Sequence, residues 1–202
     1  MSPFINTHGN RTTVFKSGSP EGSANSTFLS RSKITGRMLY FKGKGEPIIE
    51  LEDTYISLPS PDNNFSGETY LYLEKGQTYT PGDYRSRRVL LKVKKSSYIN
   101  LYLFDIPSSL HGSNIIDAYE VDPDNFDVNT VTWNNQPSLG NLIQEWEPIW
   151  EDDVWWKIPT GTSGAMLLKF KDEYDIGLNQ GAWYFFRSTR YGGEFMPYVT
   201  DE

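Results

Sequence analysis

The sequence predicts an all-β fold: an antiparallel β-sandwich or jelly roll preceded by an extended amino-terminal arm. Three observations predict it. Short runs of β-branched and aromatic residues recur from about residue 48 onward, separated by turn residues. No window of eleven or more residues carries a convincing 3.6-residue apolar repeat. The opening segment, Ser2 to Gly36, is rich in Ser, Thr, Gly and Asn and too poor in apolar residues to bury much by itself.

Taken in order, the arm (residues 1–47) holds only isolated apolar pairs: Phe4-Ile5, Val14-Phe15 and Phe28-Leu29. Their spacing fits no helical face, so the segment is expected to order against a partner, with these six residues as its contact points. A first short strand is predicted from Met38 to Phe41, followed by a turn at Gly43 and Gly45. The body (residues 48–202) then reads as strands at Ile48–Leu51, Thr54–Leu58, Tyr70–Leu73, Val89–Val93, Ile99–Phe104, Ile115–Val121, Val154–Ile158, Ala165–Phe170, Trp183–Arg187 and Tyr198–Thr200. Asn141–Trp150 comes nearest to a helical pattern, but Pro148 weakens it. Thr130–Trp133 reads as a brief strand ending in a polar corner, with Asn134 and Asn135 folded onto the backbone and Pro137 fixing the exit.

Charge is unevenly placed. Residues 1–50 carry seven Lys/Arg against three Asp/Glu, a net +4, and the remaining residues carry −11, which sum to the overall −7. An acidic body disfavours nucleic acid as a partner, because phosphate affinity comes from clustered cations. The positive arm suits an acidic protein surface, a neighbouring copy included. The lack of cysteine excludes disulfides and thiolate metal sites, and the two histidines, His8 and His111, disfavour a histidine-rich metal site or a histidine relay. No apolar run is long enough to span a membrane as a helix, and the start of the chain lacks the look of a secretory signal.

One stretch is distinctive: Phe126-Asp-Val-Asn-Thr-Val-Thr-Trp-Asn-Asn-Gln-Pro137. Together with Asp53-Thr54-Tyr55-Ile56, Asn64-Phe65-Ser66-Gly67, Arg88-Val89-Leu90-Leu91-Lys92-Val93, Phe185-Phe186-Arg187-Ser188 and Pro197-Tyr198-Val199, it resembles the motif order of the DNRLRE-type domains. These are extracellular β-sandwich modules similar to carbohydrate-binding modules. The resemblance covers about residues 50–200. It implies a non-catalytic domain, and some such modules bind acidic polysaccharides through Lys and Arg.

The candidate cations are Arg85, Arg87, Arg88, Lys92, Lys94 and Lys95. Arg88, Lys92 and Lys94 share parity along a strand, so one face would present all three to an anionic sugar. A solvated strand face is the plainer use of the same residues. Trp146, Trp150, Trp155 and Trp156 fall within eleven residues. Exposed indoles stack on sugar rings, and Trp150 and Trp156 are the candidates, although core or interface packing uses Trp equally well. Glu145, Glu147, Glu151, Asp152 and Asp153 form an acidic run that lacks the pocket a glycosidase pair requires. Asp122, Asp124 and Asp127 have spacing that suits oxygen ligation of Ca²⁺ and form a weak candidate calcium site; no other cofactor is expected.

The functional expectation is a non-catalytic virion component of a tailed bacteriophage, docked through its arm to other virion proteins or to copies of itself. The alternative is a secreted carbohydrate-binding module that recognises an acidic polysaccharide, host-surface polysaccharide being the sugar in the first case. Neither reading inserts the chain into a membrane.

Overall fold

The computed structural model describes residues 5–8, 11–14, 27–31, 38–42, 49–93, 98–106, 114–147, 150–192 and 195–200, with side chains from Leu51 onward. Among these residues the fold is all-β, with antiparallel pairing throughout and a single three-residue 3-10 turn, Pro123–Asn125. The strands are β1 (Ile5–His8), β2 (Arg11–Val14), β3 (Thr27–Arg31), β4 (Met38–Lys42), β5 (Ile49–Ser57), β6 (Tyr70–Gln77) and β7 (Tyr84–Val93). They continue with β8 (Tyr98–Asp105), β9 (Ile116–Glu120), β10 (Leu142–Trp146), β11 (Val154–Pro159), β12 (Ala165–Phe170), β13 (Gln180–Arg187) and β14 (Tyr198–Thr200).

β7 organises the sheet because it has three partners. β5 runs along it from Arg87 to Val93, β6 pairs with Tyr84–Arg87, and β12 pairs with Val89–Lys92. From β6 the order continues through β13 and β8 to β11, while β12 leads to β9 and β10. The sheet therefore curls about β7 and encloses the main core between its two arms. Leu51, Leu73, Leu91, Leu101, Met166 and Tyr184 are all buried there.

Sequence alternation follows from this position. β13 alternates buried and part-exposed residues because one of its faces meets solvent. All six residues of β12 are buried: Met166, Leu168 and Phe170 enter the main core, and Ala165 and Leu167 enter a second cluster with Ile56, Leu90, Phe126, Val128 and Val131. The run Ala-Met-Leu-Leu-Lys-Phe is thus nearly unbroken, as a strand covered on both faces requires.

Three expectations are corrected. The two runs from Ile48 to Leu58 form one strand, because β5 extends without interruption alongside β7. Leu142–Trp146, where the sequence predicts no strand, forms β10, paired with β9 through a register shift at Leu142/Gln144. Thr130–Trp133 is turn rather than strand. Asn135 Oδ1 accepts bonds from the Thr132 amide (2.6 Å) and hydroxyl (3.1 Å), and Asn64 Nδ2 donates to the carbonyls of Val128 (3.0 Å) and Val131 (2.7 Å). These side chains take the backbone groups that a ladder would have used.

In the arm, the described residues contribute four strands, where the sequence suggested one. β1 to β4 pair successively, and β4 meets β5 through Met38–Tyr40. Ile5, Val14, Phe28 and Leu29 lie within these strands; Phe4 and Phe15 fall outside the described residues.

A buried tie closes the sandwich. Asp53 on β5 is fully buried and accepts bonds from the Ser188 hydroxyl (2.9 Å), the Thr189 amide (2.7 Å) and Arg190 (3.2 Å) just after β13. Burial raises its pKa above the ordinary aspartate value, against the lowering effect of these partners.

Candidate functional site

The cations of β7 divide according to what covers them. Arg88, Leu90 and Lys92 lie beneath the segment 121–137, which packs Val121, Phe126, Val128 and Val131 onto that side of the strand. Arg88 is only 13% exposed. Its guanidinium pairs with both oxygens of Glu173, donates to Gln136 Oε1 (2.6 Å) and lies 4.5 Å from the Trp133 ring. Glu173 is buried and also accepts from the Ser86 hydroxyl (2.6 Å). Lys92 donates to the backbone carbonyls of Pro123 and Phe126 and sits 5.3 Å from the Phe126 ring. Both cations hold the covering segment in place, and neither is presented to a ligand.

Arg85 and Arg87 belong to a different surface. They stand directly opposite Gly76 and Glu74 on β6, which in turn face Gly181 and Trp183 on β13. Directly opposed residues share a sheet face. Arg87 pairs with Glu74 and lies 4.3 Å from the Tyr72 ring. Arg85 sits 3.8 Å from Glu74 with 41% of its side chain exposed. Its guanidinium lies across two glycines: a Cβ on Gly76 would come within 3.1 Å of Arg85 Nη2, and one on Gly181 within 3.4 Å. The glycine pair leaves the flat floor on which this side chain rests.

Aromatic rings continue the same face. Tyr72 stacks on Phe185 at 4.1 Å, Tyr70 meets Phe185 edge-on at 5.5 Å, and Phe104 lies 6.0 Å from Phe185. Arg187 completes the group. Its guanidinium is held between the rings of Phe104 (3.8 Å) and Tyr191 (4.0 Å), and Nε is buried without a hydrogen-bond partner. Among the described residues no carboxylate lies within ion-pair distance of Arg187. Desolvation raises the Tyr72 phenol pKa, partly offset by Arg87. Rings that present half-buried faces, interleaved with planar cations, suit a ligand having both flat apolar faces and anionic groups.

The residues singled out from the sequence are therefore dispersed. Arg85 is on the aromatic face; Arg88 and Lys92 are under the covering segment; Lys94 and Lys95 lie outside the described residues. Trp156 is 8% exposed, stacked on Phe186 at 5.4 Å and edge-on to Trp146 at 4.9 Å, so it is a core residue. Trp150 is exposed at 66%, apart from the rings above.

Two of the three aspartates serve local turns through their carboxylates. Asp122 accepts from the Asp124 amide and Asn125 Nδ2, both at 2.9 Å, and Asp127 accepts from the Asn129 amide at 2.9 Å. Asp124 and Asp127 border an open hollow of about 370 Å³ that Asn125, Phe126, Thr130 and Asn135 also line. Among the described residues, no three His, Cys, Asp or Glu side chains gather where they could hold a metal ion. None of their helices is long and apolar enough to cross a membrane.

Sequence reading missed Tyr70, Tyr72, Phe104, Phe185, Arg187 and Tyr191 as a group. The signal was present as odd–even alternation: Phe185 and Arg187 share one parity, and Tyr70 and Tyr72 another. Joining the two pairs required the β6–β13 register, which sets Tyr72 against Phe185 and Tyr70 against Arg187.

Comparison with known proteins covers the part of this surface carried by β6, β7 and β8, and stops short of β13. The sequence model of carbohydrate-binding module family 96 matches residues 46–160, more than half of the chain. The matched span includes β5 to β11 and the whole Phe126–Pro137 block. No curated protein matches the chain.

Proposed function

The chain belongs to carbohydrate-binding module family 96, and on that premise we propose that it binds an acidic polysaccharide, without turning it over, on the aromatic and guanidinium face of β6, β13 and β8. The observation that carries this reading is Arg187: a guanidinium clamped between two rings, with no described carboxylate to neutralise it. A sugar carboxylate is a natural complement, because guanidinium pairs with it through two parallel hydrogen bonds while adjacent rings cover the apolar faces of the sugar. A polysaccharide of this kind belongs to walls and matrices, so the module would work outside the cell. Family membership favours this reading over a virion component, for which the family match offers no support.

The test is affinity electrophoresis and calorimetry with alginate and polygalacturonate, set against the same polymers after carboxyl reduction. Wild type should bind the acidic forms, more weakly as salt rises. Arg187→Ala should lower affinity at least tenfold, since a hydrogen-bonded charge contributes about 1.5–3 kcal/mol. Equal binding to the carboxyl-reduced polymers, or an Arg187→Ala variant of unchanged affinity, would overturn the proposal.

A further inference from the structure

The aromatic face does not stop at β8. Tyr102 shares parity with Phe104 on that strand and stands opposite Trp155 on β11, whose ring meets it edge-on at 5.1 Å. Phe195 stacks on Tyr102 at 4.3 Å, so at this strand the ring nearest solvent is Phe195. Tyr198 on β14, which also pairs with β8, meets Trp155 edge-on at 5.0 Å. Side chains thus line one row that crosses β7, β6, β13, β8 and β11 obliquely: Arg85 stands level with Gly181 on β13, whereas the pairing of Phe186 with Leu103 brings Tyr102 and Trp155 level with Arg187. Four inter-strand steps and the offset along the strands make it roughly 28 Å long.

Two features of the row bear on its ligand. First, both ends are open among the described residues: Arg85 on β7 is 41% exposed and Trp155 on β11 is 40% exposed. Second, charge changes along it. The β7-to-β13 half holds Arg85, Arg87 and Arg187 around the single carboxylate of Glu74. At the β11 end the Tyr102 hydroxyl donates to Asp153 (3.1 Å), and Asp152 is close enough to raise the same phenol's pKa. One half suits carboxylates, and the other suits the uncharged face of a sugar ring.

Resting on the polysaccharide reading above, we infer that this face takes the interior of a linear uronate-containing chain laid obliquely across the strands, engaging about five consecutive units. A pyranose in an extended 1→4-linked chain advances by roughly 5 Å, about one inter-strand step, so the row has the length of about five units. Carboxylates are read over β7 to β13, and Trp155 supplies a ring platform for a unit further along. With neither end of the row closed, the chain passes through and its termini go unread.

Calorimetry with size-defined oligouronates of two to eight units tests this on the full chain. Affinity should rise at least tenfold from two units to about four or five and then level off, and borohydride reduction of the terminal unit in the longer oligomers should leave it unchanged. Trp155→Ala should remove the gain between short and long oligomers while leaving affinity for the dimer within twofold, and Arg187→Ala should weaken every length. Affinity that is independent of length, a requirement for an intact end, or a Trp155→Ala loss equal at all lengths would overturn the inference while leaving uronate binding itself in place. Absence of binding to any uronate, polymer included, would overturn both.

Discussion

One strand carries cations to two regions of opposite character. Beneath the segment 121–137, Arg88 and Lys92 are saturated by Glu173, Gln136 and backbone carbonyls, and Trp133 and Phe126 lie against them. On the face shared with β6 and β13, Arg85 and Arg87 share one carboxylate, and Arg187 has rings but, among the described residues, no acid within ion-pair distance. The residue types are the same in both regions: Arg or Lys next to Trp, Tyr or Phe. The difference lies in whether the protein supplies its own anions and its own cover. A cation over a ring is a structural joint where both are present; where they are absent it is left available for the recognition proposed above.

The contrast is sharpest in stability. Arg88→Ala removes the main partner of the buried Glu173 carboxylate, and should cost about 3 kcal/mol in urea unfolding. The folded fraction should bind polysaccharide as wild type does. A large loss of affinity with little loss of stability would reverse the assignment of the two regions. Lys92→Ala should cost about 1 kcal/mol, the scale of hydrogen bonds to backbone carbonyls, with earlier proteolysis of segment 121–137 as its local sign.

Gly76→Ala probes the open side. A Cβ there presses on Arg85 Nη2 at 3.1 Å and on the Gln180 carbonyl at 3.3 Å, and the flexible arginine is the partner that yields. Affinity for alginate should fall about two- to threefold, with stability changed by less than about 0.5 kcal/mol.

The smallest effect is acid dependence. Glu120 accepts bonds from the Thr162 amide (2.6 Å) and hydroxyl (2.7 Å), which lower its pKa below the ordinary 4.5. Its stabilising contribution is therefore complete above pH 4.5 and lost as pH falls through the lowered value. Asp53 acts in the opposite sense. With its pKa raised by burial, its ionisation costs stability as pH rises, and protonation does not weaken the fold through this group. Glu120→Gln should accordingly flatten the acid limb of a stability–pH curve, and Asp53→Asn should not.

Much of the fold was legible in the residues. Runs such as Ala165–Phe170 and Trp183–Arg187 declare strands because β-branched and aromatic side chains suit a pleated surface, and these two appear in the structure as β12 and β13. The Asn-Asn-x-Pro corner was readable as side chains folded onto backbone, and Asn135 does so. Parity correctly placed Arg88 with Lys92 on one side of a strand. Parity is a local property, however, and cannot say what lies above that side.

The sequence by itself determined that this protein is all-β, where most strands run, and which residues alternate together, because each depends on neighbours a few positions apart. Only the tertiary structure decided which side of β7 is buried under 121–137 and which stays open, and that Arg187, 100 residues beyond Arg87 in sequence, joins the same face. Those outcomes depend on the order in which strands pair: the β6–β13 register sets Tyr72 on Phe185, and contacts between residues so distant in sequence leave no periodic trace along the chain.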